Sequence, residues 1–292
     1  MNWLCLLSSL LLLGFLLCAY LLARTLVRRM PPSPPESPER YGLAFEAVWF
    51  RSRDGLRIDA WWIPAAQPTR RTVIICHGRE GSRERELPHA QALHKAGFNV
   101  LMFDFRAHGR SEGQHVTFGM YEKDDLLGAL DFLAARGIQS AGVLGFSMGA
   151  TTAIIAAAIT DRIAAIVAEG AVARLKRTLA RRLRRHGVPL PLGWLLAAWA
   201  LAFATTIVRG RVDQVDAIRW IPHVQVPILL VHGTADDLIS AAEVAELAAR
   251  CGGRVAIWQV AGAAHHEAAQ VAGASFQQRM IAWFEEYLPQ AD

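Results

Sequence analysis

The strongest constraint on the fold is a series of short apolar runs that alternate with segments of helical pattern. The later runs are continuous stretches of Val, Ile and Leu, as expected for strands buried on both faces of a parallel sheet. The intervening helical segments favour an α/β sheet with helices on both faces. The first two strands have no helix between them, so we predict that they form an antiparallel edge. The predicted strands are residues 47–50, 56–63, 72–76, 100–103, 142–145, 163–167, 228–231 and 255–260.

The composition is that of a folded protein. The chain has 292 residues, of which 53% are hydrophobic and 20% are charged, and this length suffices for one large α/β domain or two small ones. The charged fraction is too ordinary for a disordered protein. The four cysteines form no C-x-x-C pair, which argues against a disulfide scaffold and against a structural zinc site.

The basic charge of the chain is local. The formal net charge is +5, but nine Lys and Arg residues lie between residues 170 and 212, a stretch without any acid. Arg24, Arg28 and Arg29 form a second basic patch, and the rest of the chain is more acidic than basic. Both patches adjoin apolar stretches. This pattern disfavours a nucleic-acid-binding protein and indicates contact with a membrane surface.

The N-terminus carries an apolar run long enough to cross a bilayer. Residues 3–23 contain no charge, and a helix of about 20 such residues spans the hydrocarbon core. A cleaved signal peptide or lipoprotein-like leader is disfavoured, because no basic residue precedes the run and no small-residue cleavage site follows it. The arginines after the run predict that the C-terminal side is cytoplasmic. We therefore predict a transmembrane anchor at 1–23, a basic, Pro-rich spacer at 24–40 and one domain at 41–292.

The sharpest chemical signal is the sequence Gly145-Phe146-Ser147-Met148-Gly149. It follows a predicted strand and precedes an Ala-rich helix, which is the context of a G-x-S-x-G nucleophile elbow. Such an elbow raises the serine hydroxyl above the carboxyl ends of the strands, where open α/β sheets bind ligands. The positive end of the following helix then points at charge that develops beside the serine. Ser147 is the candidate nucleophile.

A serine nucleophile needs a histidine base and a carboxylate that orients this base. Asp236 and Asp237 follow one predicted strand, and His265 and His266 follow the last one. Their order in the chain, serine then acid then histidine, is the order found in α/β hydrolases. From the residues alone, either acid and either histidine can fill its role.

From about residue 41 to its end, the chain resembles the α/β-hydrolase superfamily, and within it the membrane-anchored, Bem46-like branch that is often grouped with serine aminopeptidase-like hydrolases. The motifs that carry the resemblance are His77-Gly78, the stretch 103–111, the elbow 145–149, His232-Gly233-x-x-Asp236 and the terminal His265. Carried over by register, the resemblance implies a triad of Ser147, Asp236 and His265. Asp237 is then a solvated loop acid or helix cap, and His266 is the substitute histidine.

The resemblance also implies an oxyanion hole formed by the backbone N–H groups of Met148 and Arg79. We expect the Arg79 side chain either to meet an anionic substrate group or to be solvated. His77 is interpreted as a structural loop histidine. Asp104, Arg106 and His108 look catalytic by composition, but in the resembled family this stretch is a structural turn.

A long insertion separates the sixth and seventh predicted strands. Residues 170–222 have the place of the superfamily's helical cap, with a basic first half and an uncharged stretch at 190–208. That stretch is long enough to cross a membrane, but a crossing there would separate Ser147 from Asp236 and His265. We therefore predict a cap whose apolar face covers the active site or lies in the lipid interface, with arginines against head groups. The alternative is a cap packed on the body, with solvated arginines.

The sequence thus predicts an α/β-hydrolase fold with a mostly parallel eight-stranded sheet, an inserted helical cap and one N-terminal transmembrane helix. The predicted function is that of a serine hydrolase that cleaves a carboxylic ester or related acyl bond through an acyl-enzyme on Ser147. No metal or organic cofactor is expected. The expected partners are an acyl-ester or lipid-like substrate and membrane lipid. A peptidase or amidase of the serine aminopeptidase type and a non-catalytic binding module remain as alternatives.

Overall fold

The computed structural model describes residues 3–32 and 35–289. Its centre is one eight-stranded sheet in the order β1-β2-β4-β3-β5-β6-β7-β8. The strands are β1 Glu46–Arg51, β2 Arg57–Ile63, β3 Thr72–Cys76, β4 Asn99–Phe103, β5 Ala141–Phe146, β6 Ile163–Glu169, β7 Ile228–Gly233 and β8 Val255–Val260.

The pairing within the sheet matches the sequence pattern. β1 and β2 pair antiparallel at one edge, β2 also pairs antiparallel with β4, and the remaining neighbours are parallel. Every residue of β3, β4 and β5 is buried, since helices cover both faces of the central strands. The predicted fold class is confirmed, including the antiparallel edge.

Ten α-helices accompany this sheet in the described part of the chain, and short 3-10 turns link some of them. The helices are α1 Trp3–Val27, α2 Leu87–Lys95, α3 Glu122–Ala134, α4 Met148–Ala157, α5 Leu175–Arg185, α6 Leu190–Val208, α7 Ala217–Trp220, α8 Ala241–Arg250, α9 Ala268–Ala272 and α10 Ala274–Tyr287.

The insertion between β6 and β7 is helical. The chain leaves the sheet at Glu169, forms α5, α6 and α7, and re-enters the sheet at Ile228. Gly193 lets α6 approach α5 closely, because a Cβ there would lie 3.3 Å from the Ala180 carbonyl oxygen. α6 also packs along α1, and the rings of Tyr20 and Phe203 meet edge to face at 5.8 Å. The apolar surfaces of α1, α5 and α6 share one cluster of buried side chains.

Two helices are long and apolar enough to cross a membrane. They are α1 and α6, and 33% of the apolar window of α6 is buried in the structure, against 6% for α1. The first half of α1 projects from the body, and its leucines, for example Leu11 and Leu13, are more than half exposed. α1 therefore has the length and composition of a membrane anchor or of a signal sequence.

The end of α1 is docked on the body. The helix continues to Val27, four residues beyond the end of the predicted span at Ala23. Val116 N–H then donates to the Val27 carbonyl at 2.9 Å, and Met30 N–H donates to the Ala107 carbonyl at 2.9 Å. Residues 27–30 are thus held by hydrogen bonds, whereas Ser33 and Pro34 of the predicted spacer lie outside the described residues.

Candidate active site

Ser147 lies at a strained turn between β5 and α4. Its backbone has φ 49° and ψ −107°, a left-handed conformation that is costly for a residue with a side chain. The N–H of Ser147 donates to the Glu169 carbonyl of the neighbouring strand β6 at 2.8 Å, which helps to hold the turn. The turn places the serine directly before the N-terminus of a ten-residue helix, as the sequence predicts.

The two glycines of the motif are required by close backbone contacts. A Cβ at Gly145 would lie 2.7 Å from the backbone of Ala150, and a Cβ at Gly149 would overlap the carbonyl groups of Cys76 and His77. Any side chain at either position would push the elbow away from β3 or unwind the start of α4. The glycines therefore set the close approach of strand and helix that the elbow needs.

The structure brings Ser147, His265 and Asp236 together although they lie far apart in the chain. The Ser147 hydroxyl is 2.9 Å from His265 Nε2, and His265 Nδ1 is 2.7 Å from Asp236 Oδ2. Because a carboxylate only accepts hydrogen bonds, Nδ1 carries the ring proton and Nε2 is left to accept the proton of the serine. The three side chains form one hydrogen-bonded line.

Asp236 is held in place from two sides. Its Oδ1 accepts hydrogen bonds from the backbone N–H groups of Leu238 and Ile239, both at 2.9 Å. Burial raises the pKa of this carboxyl, but the hydrogen bond from His265 and the two backbone donors outweigh burial and keep the pKa below its ordinary value. Asp236 is therefore a fixed carboxylate at neutral pH.

The neighbouring acid and histidine face elsewhere. Asp237 is an exposed loop acid, and it forms an ion pair with Arg185 of α5. His266 stacks on Phe146 with ring centroids 4.7 Å apart, and its Nε2 lies 3.5 Å from Glu86 Oε1. The geometry thus supports the register that selects Asp236 and His265 over their neighbours.

Arg79 and Met148, the predicted oxyanion residues, both line the cavity that contains Ser147. Within residues 3–32 and 35–289, neither backbone N–H of this pair donates a hydrogen bond to a protein acceptor. Two such donors beside a nucleophile are suited to bind a developing oxyanion. The environment of the Arg79 side chain differs from both expectations. This side chain donates hydrogen bonds to the carbonyls of Thr25 and Leu26 at the end of α1. It faces protein, whereas a substrate anion or solvent was expected.

The turn after β4 is held by buried hydrogen bonds and ion pairs next to the site. His77 Nε2 accepts a hydrogen bond from Phe105 N–H at 3.0 Å, and Arg106 forms bidentate contacts with Asp54 and Asp125. Asp104 accepts from Arg83 N–H at 3.1 Å. These buried contacts agree with the structural roles predicted for this stretch and for His77.

Three further residues shape the site and were not identified from the sequence. Gly170 has φ +63°, and a Cβ on it would lie 2.9 Å from His265 Cε1, so glycine leaves room for the imidazole. Glu169 accepts from Ala268 N–H at 3.0 Å and so holds the chain after His265. Thr151 accepts from Val172 N–H at 2.9 Å and joins α4 to the start of the cap. An acid followed by glycine at the end of a buried strand is the signal that could have identified Glu169 and Gly170.

The triad opens into an apolar cavity of about 400 Å³. The end of α1, the cap and the loops at the carboxyl edge of the sheet all contribute to its walls, and basic side chains surround its rim. The apolar lining residues are Leu26, Phe118, Met148, Val172, Leu175, Leu179, Leu201, Val215 and Leu238. A cavity of this size and lining suits an apolar group of a small molecule.

The basic face of α5 is directed largely toward protein carboxylates. Arg174 forms a bidentate ion pair with Glu246 at 2.6 and 2.7 Å. Arg181, Arg182 and Arg185 pair with Glu243, Glu80 and Asp237 respectively. Arg177 also lies 3.8 Å from Glu243, so five arginines of this segment have carboxylate partners that hold the cap on the body. Within the described ranges, no group of three or more His, Cys, Asp or Glu side chains is arranged to hold a metal ion.

Comparison with known proteins agrees with this architecture. The family model for the alpha/beta hydrolase fold matches residues 71–207. An esterase of Pyrococcus furiosus has a similar structure, with a TM-score of 0.76 and 26% sequence identity, over 90% of this chain and 99% of that one.

Two curated relatives are similar in sequence. The Bacillus subtilis protein YqkD is 34% identical over 181 residues, which are 60% of this chain and 58% of that protein. The Arabidopsis thaliana alpha/beta hydrolase domain-containing protein WAV2 is 28% identical over 217 residues, which are 71% of this chain and 67% of that protein. The matches therefore span about three fifths to two thirds of these relatives. Taken with the sheet order and the elbow, they show that the chain has the α/β-hydrolase fold.

Proposed function

We propose that this protein is a serine hydrolase that cleaves carboxylic esters or related acyl bonds. The observation that carries the proposal is the hydrogen-bonded line from Ser147 through His265 to Asp236, with distances of 2.9 and 2.7 Å. A binding module has no need of this alignment, nor of a serine held in a strained backbone conformation.

The proposed reaction has two halves. His265 Nε2 takes the proton of Ser147 as the hydroxyl oxygen attacks the carbonyl carbon, and the N–H groups of Arg79 and Met148 bind the resulting oxyanion. His265 then gives this proton to the leaving alcohol, which departs and leaves an acyl group on Ser147. In the second half, water loses a proton to His265 as its oxygen attacks the acyl carbon, and the bond between this carbon and the Ser147 oxygen then breaks. His265 returns the proton to Ser147, the carboxylic acid leaves and the free enzyme is restored. Asp236 stays ionised and stabilises the imidazolium in both halves.

The apolar walls of the cavity support an apolar acyl group as the substrate portion beside Ser147. The similarity to a solved Pyrococcus furiosus esterase supports an ester in preference to an amide. Amide cleavage uses the same residues, so the two activities are separated by comparing substrates that share one acyl group.

We further propose that α1 anchors the protein in a membrane, with the catalytic body on the cytoplasmic side. The arginines that follow the apolar run support this orientation. α6 extends the apolar surface of α1, because Leu192, Leu195 and Trp199 are exposed along one face of a helix that has no charged residue. Acyl chains of the bilayer are the proposed occupant of this face.

The test is labelling of the full-length, detergent-solubilised protein with a fluorophosphonate, with Ser147→Ala alongside. We expect covalent labelling of the wild-type protein and none of the variant. Hydrolysis of p-nitrophenyl esters of increasing chain length then measures the acyl preference, and aminoacyl anilides measure amidase activity. If folded wild-type protein neither reacts with the probe nor cleaves any ester or anilide, the serine hydrolase proposal is wrong.

A further inference from the structure

Arg79 connects the candidate oxyanion loop to α1. Its backbone borders Ser147, but its side chain extends to the last turn of α1. There Nε donates to the Leu26 carbonyl at 3.0 Å, and one terminal nitrogen donates to the carbonyls of Thr25 and Leu26 at 2.7 and 2.8 Å. The side chain is only 12% exposed. The loop beside the nucleophile is therefore tied to a helix that comes more than fifty residues earlier in the chain.

This contact is chemically well matched. The last carbonyls of a helix have no partners within the helix and form the negative end of its dipole. The planar guanidinium of Arg79 can donate to two adjacent carbonyls at once. Burial lowers the pKa of Arg79 to about 10, so the group remains a cation at neutral pH. Withdrawing α1 would remove the carbonyl acceptors of a mostly buried guanidinium, which would keep its ion pair with Glu80 at 3.0 Å. It would also orphan the last carbonyls of the helix, which is costly.

A second set of contacts links the end of α1 to a neighbouring loop that touches the Arg79 backbone. Arg29, just after α1, donates to the backbone carbonyls of Gly109, Ser111 and Gly113 at 2.7 to 2.9 Å. His108 belongs to the loop that Arg29 binds, and its Nε2 lies 2.7 Å from the Arg79 carbonyl oxygen. Arg79 is thus held by its side chain, which contacts the end of α1, and by its backbone, which contacts a loop that Arg29 binds.

The end of α1 also reaches the cavity itself. Leu26 lines the same cavity as Ser147, and the Arg79 guanidinium lies 5.7 Å from the ring centroid of Phe118, another lining residue. The last turn of α1 is therefore one wall of the candidate active site.

We propose that the C-terminal end of α1 positions the oxyanion loop through Arg79, so that docking of α1 sets the catalytic power of Ser147. Arg79 acts here as a positioning residue through its side chain, in addition to the role of its backbone N–H. This inference rests on the proposed serine hydrolase function. In this proposal, α1 contributes to catalysis by positioning the oxyanion loop, in addition to its proposed role as a membrane anchor.

The experiment compares Arg79→Leu and Arg79→Lys in the full-length, detergent-solubilised protein. We measure kcat and KM for a short p-nitrophenyl ester, and Ki for an uncharged alkyl trifluoromethyl ketone, which forms an oxyanion adduct on a reactive serine. Complete loss of one oxyanion donor lowers kcat by about 10²–10³, so a displaced donor should lower it by about 10 to 100-fold. We expect Ki to rise by a similar factor, KM to change little and Arg79→Lys to recover part of the loss.

Arg51→Leu is the matched control. Arg51 also donates to a backbone carbonyl, that of Gly55 at 2.8 Å, but on the edge strand β1 far from Ser147 along the sheet. We expect wild-type kcat and Ki for this variant. Arg29→Leu provides an independent measurement if Arg79→Leu does not fold, because it loosens the end of α1 and leaves Arg79 intact. It should lower kcat about threefold or more.

The outcomes separate the possible roles of Arg79. If Arg79→Leu lowers the melting temperature and leaves kcat and Ki unchanged, the side chain is only structural and the inference is overturned. It is also overturned if the loss appears in KM alone, which indicates direct binding of substrate. Ester hydrolysis that persists in Ser147→Ala contradicts the proposed function itself, whatever Arg79 does.

Discussion

At the scale of single residues, two adjacent acids have separate tasks. Asp236 accepts from His265, and Asp237 pairs with Arg185 at the surface. We predict that Asp236→Asn lowers kcat for ester hydrolysis by about 10³ to 10⁴, because an amide in place of the carboxylate no longer stabilises the imidazolium or its tautomer. KM should change little.

Asp237→Asn is the internal control for this measurement. It removes the neighbouring charge and leaves the line from Ser147 to Asp236 intact, so kcat should stay within about twofold of wild type. Equal losses in the two variants would mean that the acid was assigned incorrectly.

Asp104 gives the folded state a pH dependence. Burial raises the pKa of Asp104 from its ordinary value to about 6, although nearby Arg83 opposes the shift. Because its pKa is higher in the folded state than in the unfolded state, the folded state holds more protons between about pH 4 and pH 6. The contribution of Asp104 to the free energy of unfolding is therefore fully present below this window and falls by about 3 kcal/mol as the pH rises through it.

Urea unfolding at several pH values measures this effect. Between pH 4 and pH 6, the free energy of unfolding of Asp104→Asn should fall by about 3 kcal/mol less than that of the wild type, whereas Asp161→Asn, at an exposed loop position, should keep the wild-type profile. An unchanged pH profile for Asp104→Asn contradicts the prediction.

The sequence predicts some of these residues better than others. Ser147 could be identified because local geometry demands glycines around it, and Asp236 and His265 could be identified because each follows a buried strand. The partner of the Arg79 side chain could not be predicted, since Thr25 and Leu26 accept through their backbone and leave no trace in residue type. The ion pair of Asp237 could not be predicted, because its partner Arg185 belongs to a cap whose placement the sequence does not define.

At the scale of elements, the close approach of β3 and α4 tolerates no side chain at Gly149. We predict that Gly149→Ala destabilises the protein by about 3 kcal/mol, because its Cβ would overlap backbone carbonyls that cannot move independently. Thermal unfolding measures the loss, and fluorophosphonate labelling should slow as the elbow shifts. Gly14→Ala is the control, since a Cβ at Gly14 meets nothing within 4 Å, and wild-type stability of Gly149→Ala would refute the packing argument.

Elements of regular pattern were predictable and their docking was not. All eight strands were predicted from the sequence pattern, and the signal is strongest for the central strands, because burial on two faces leaves a continuous apolar run. The edge strands β1 and β8 are partly exposed. Residues 27–30 contact residues 107–116 through backbone hydrogen bonds and through the Arg29 side chain, which donates to backbone carbonyls. From the sequence alone, the arginines of that segment could equally be solvated. Long-range docking of this kind depends on shape and on backbone geometry, which composition does not encode.

At the scale of the whole molecule, α1 and α6 form one continuous apolar surface. We predict that both helices contact lipid when the full-length protein is reconstituted in nanodiscs that contain phosphatidylcholine with a photoactivatable acyl chain. Peptide mapping should find adducts on α1 and on the exposed face of α6 around Leu195 and Trp199. Trp49, which is 51% exposed on the edge strand β1, should gain none.

Adducts confined to α1 would show that the exposed face of α6 meets water or another protein. The ion pairs that hold α5 against the body make a second distinction. Because Arg174, Arg181 and Arg185 already have carboxylate partners, anionic lipid should increase labelling of α6 only slightly over neutral lipid.

The hydrogen bonds that join residues 27–30 to the body have a consequence for how such an enzyme meets its substrate. A flexible linker between a membrane anchor and the body would let the body reorient freely above the bilayer. A rigid mount instead fixes the height and tilt of the cavity mouth relative to the helix axis. Encounters then become a search in two dimensions, in which lateral diffusion of enzyme and substrate replaces diffusion through the bulk phase.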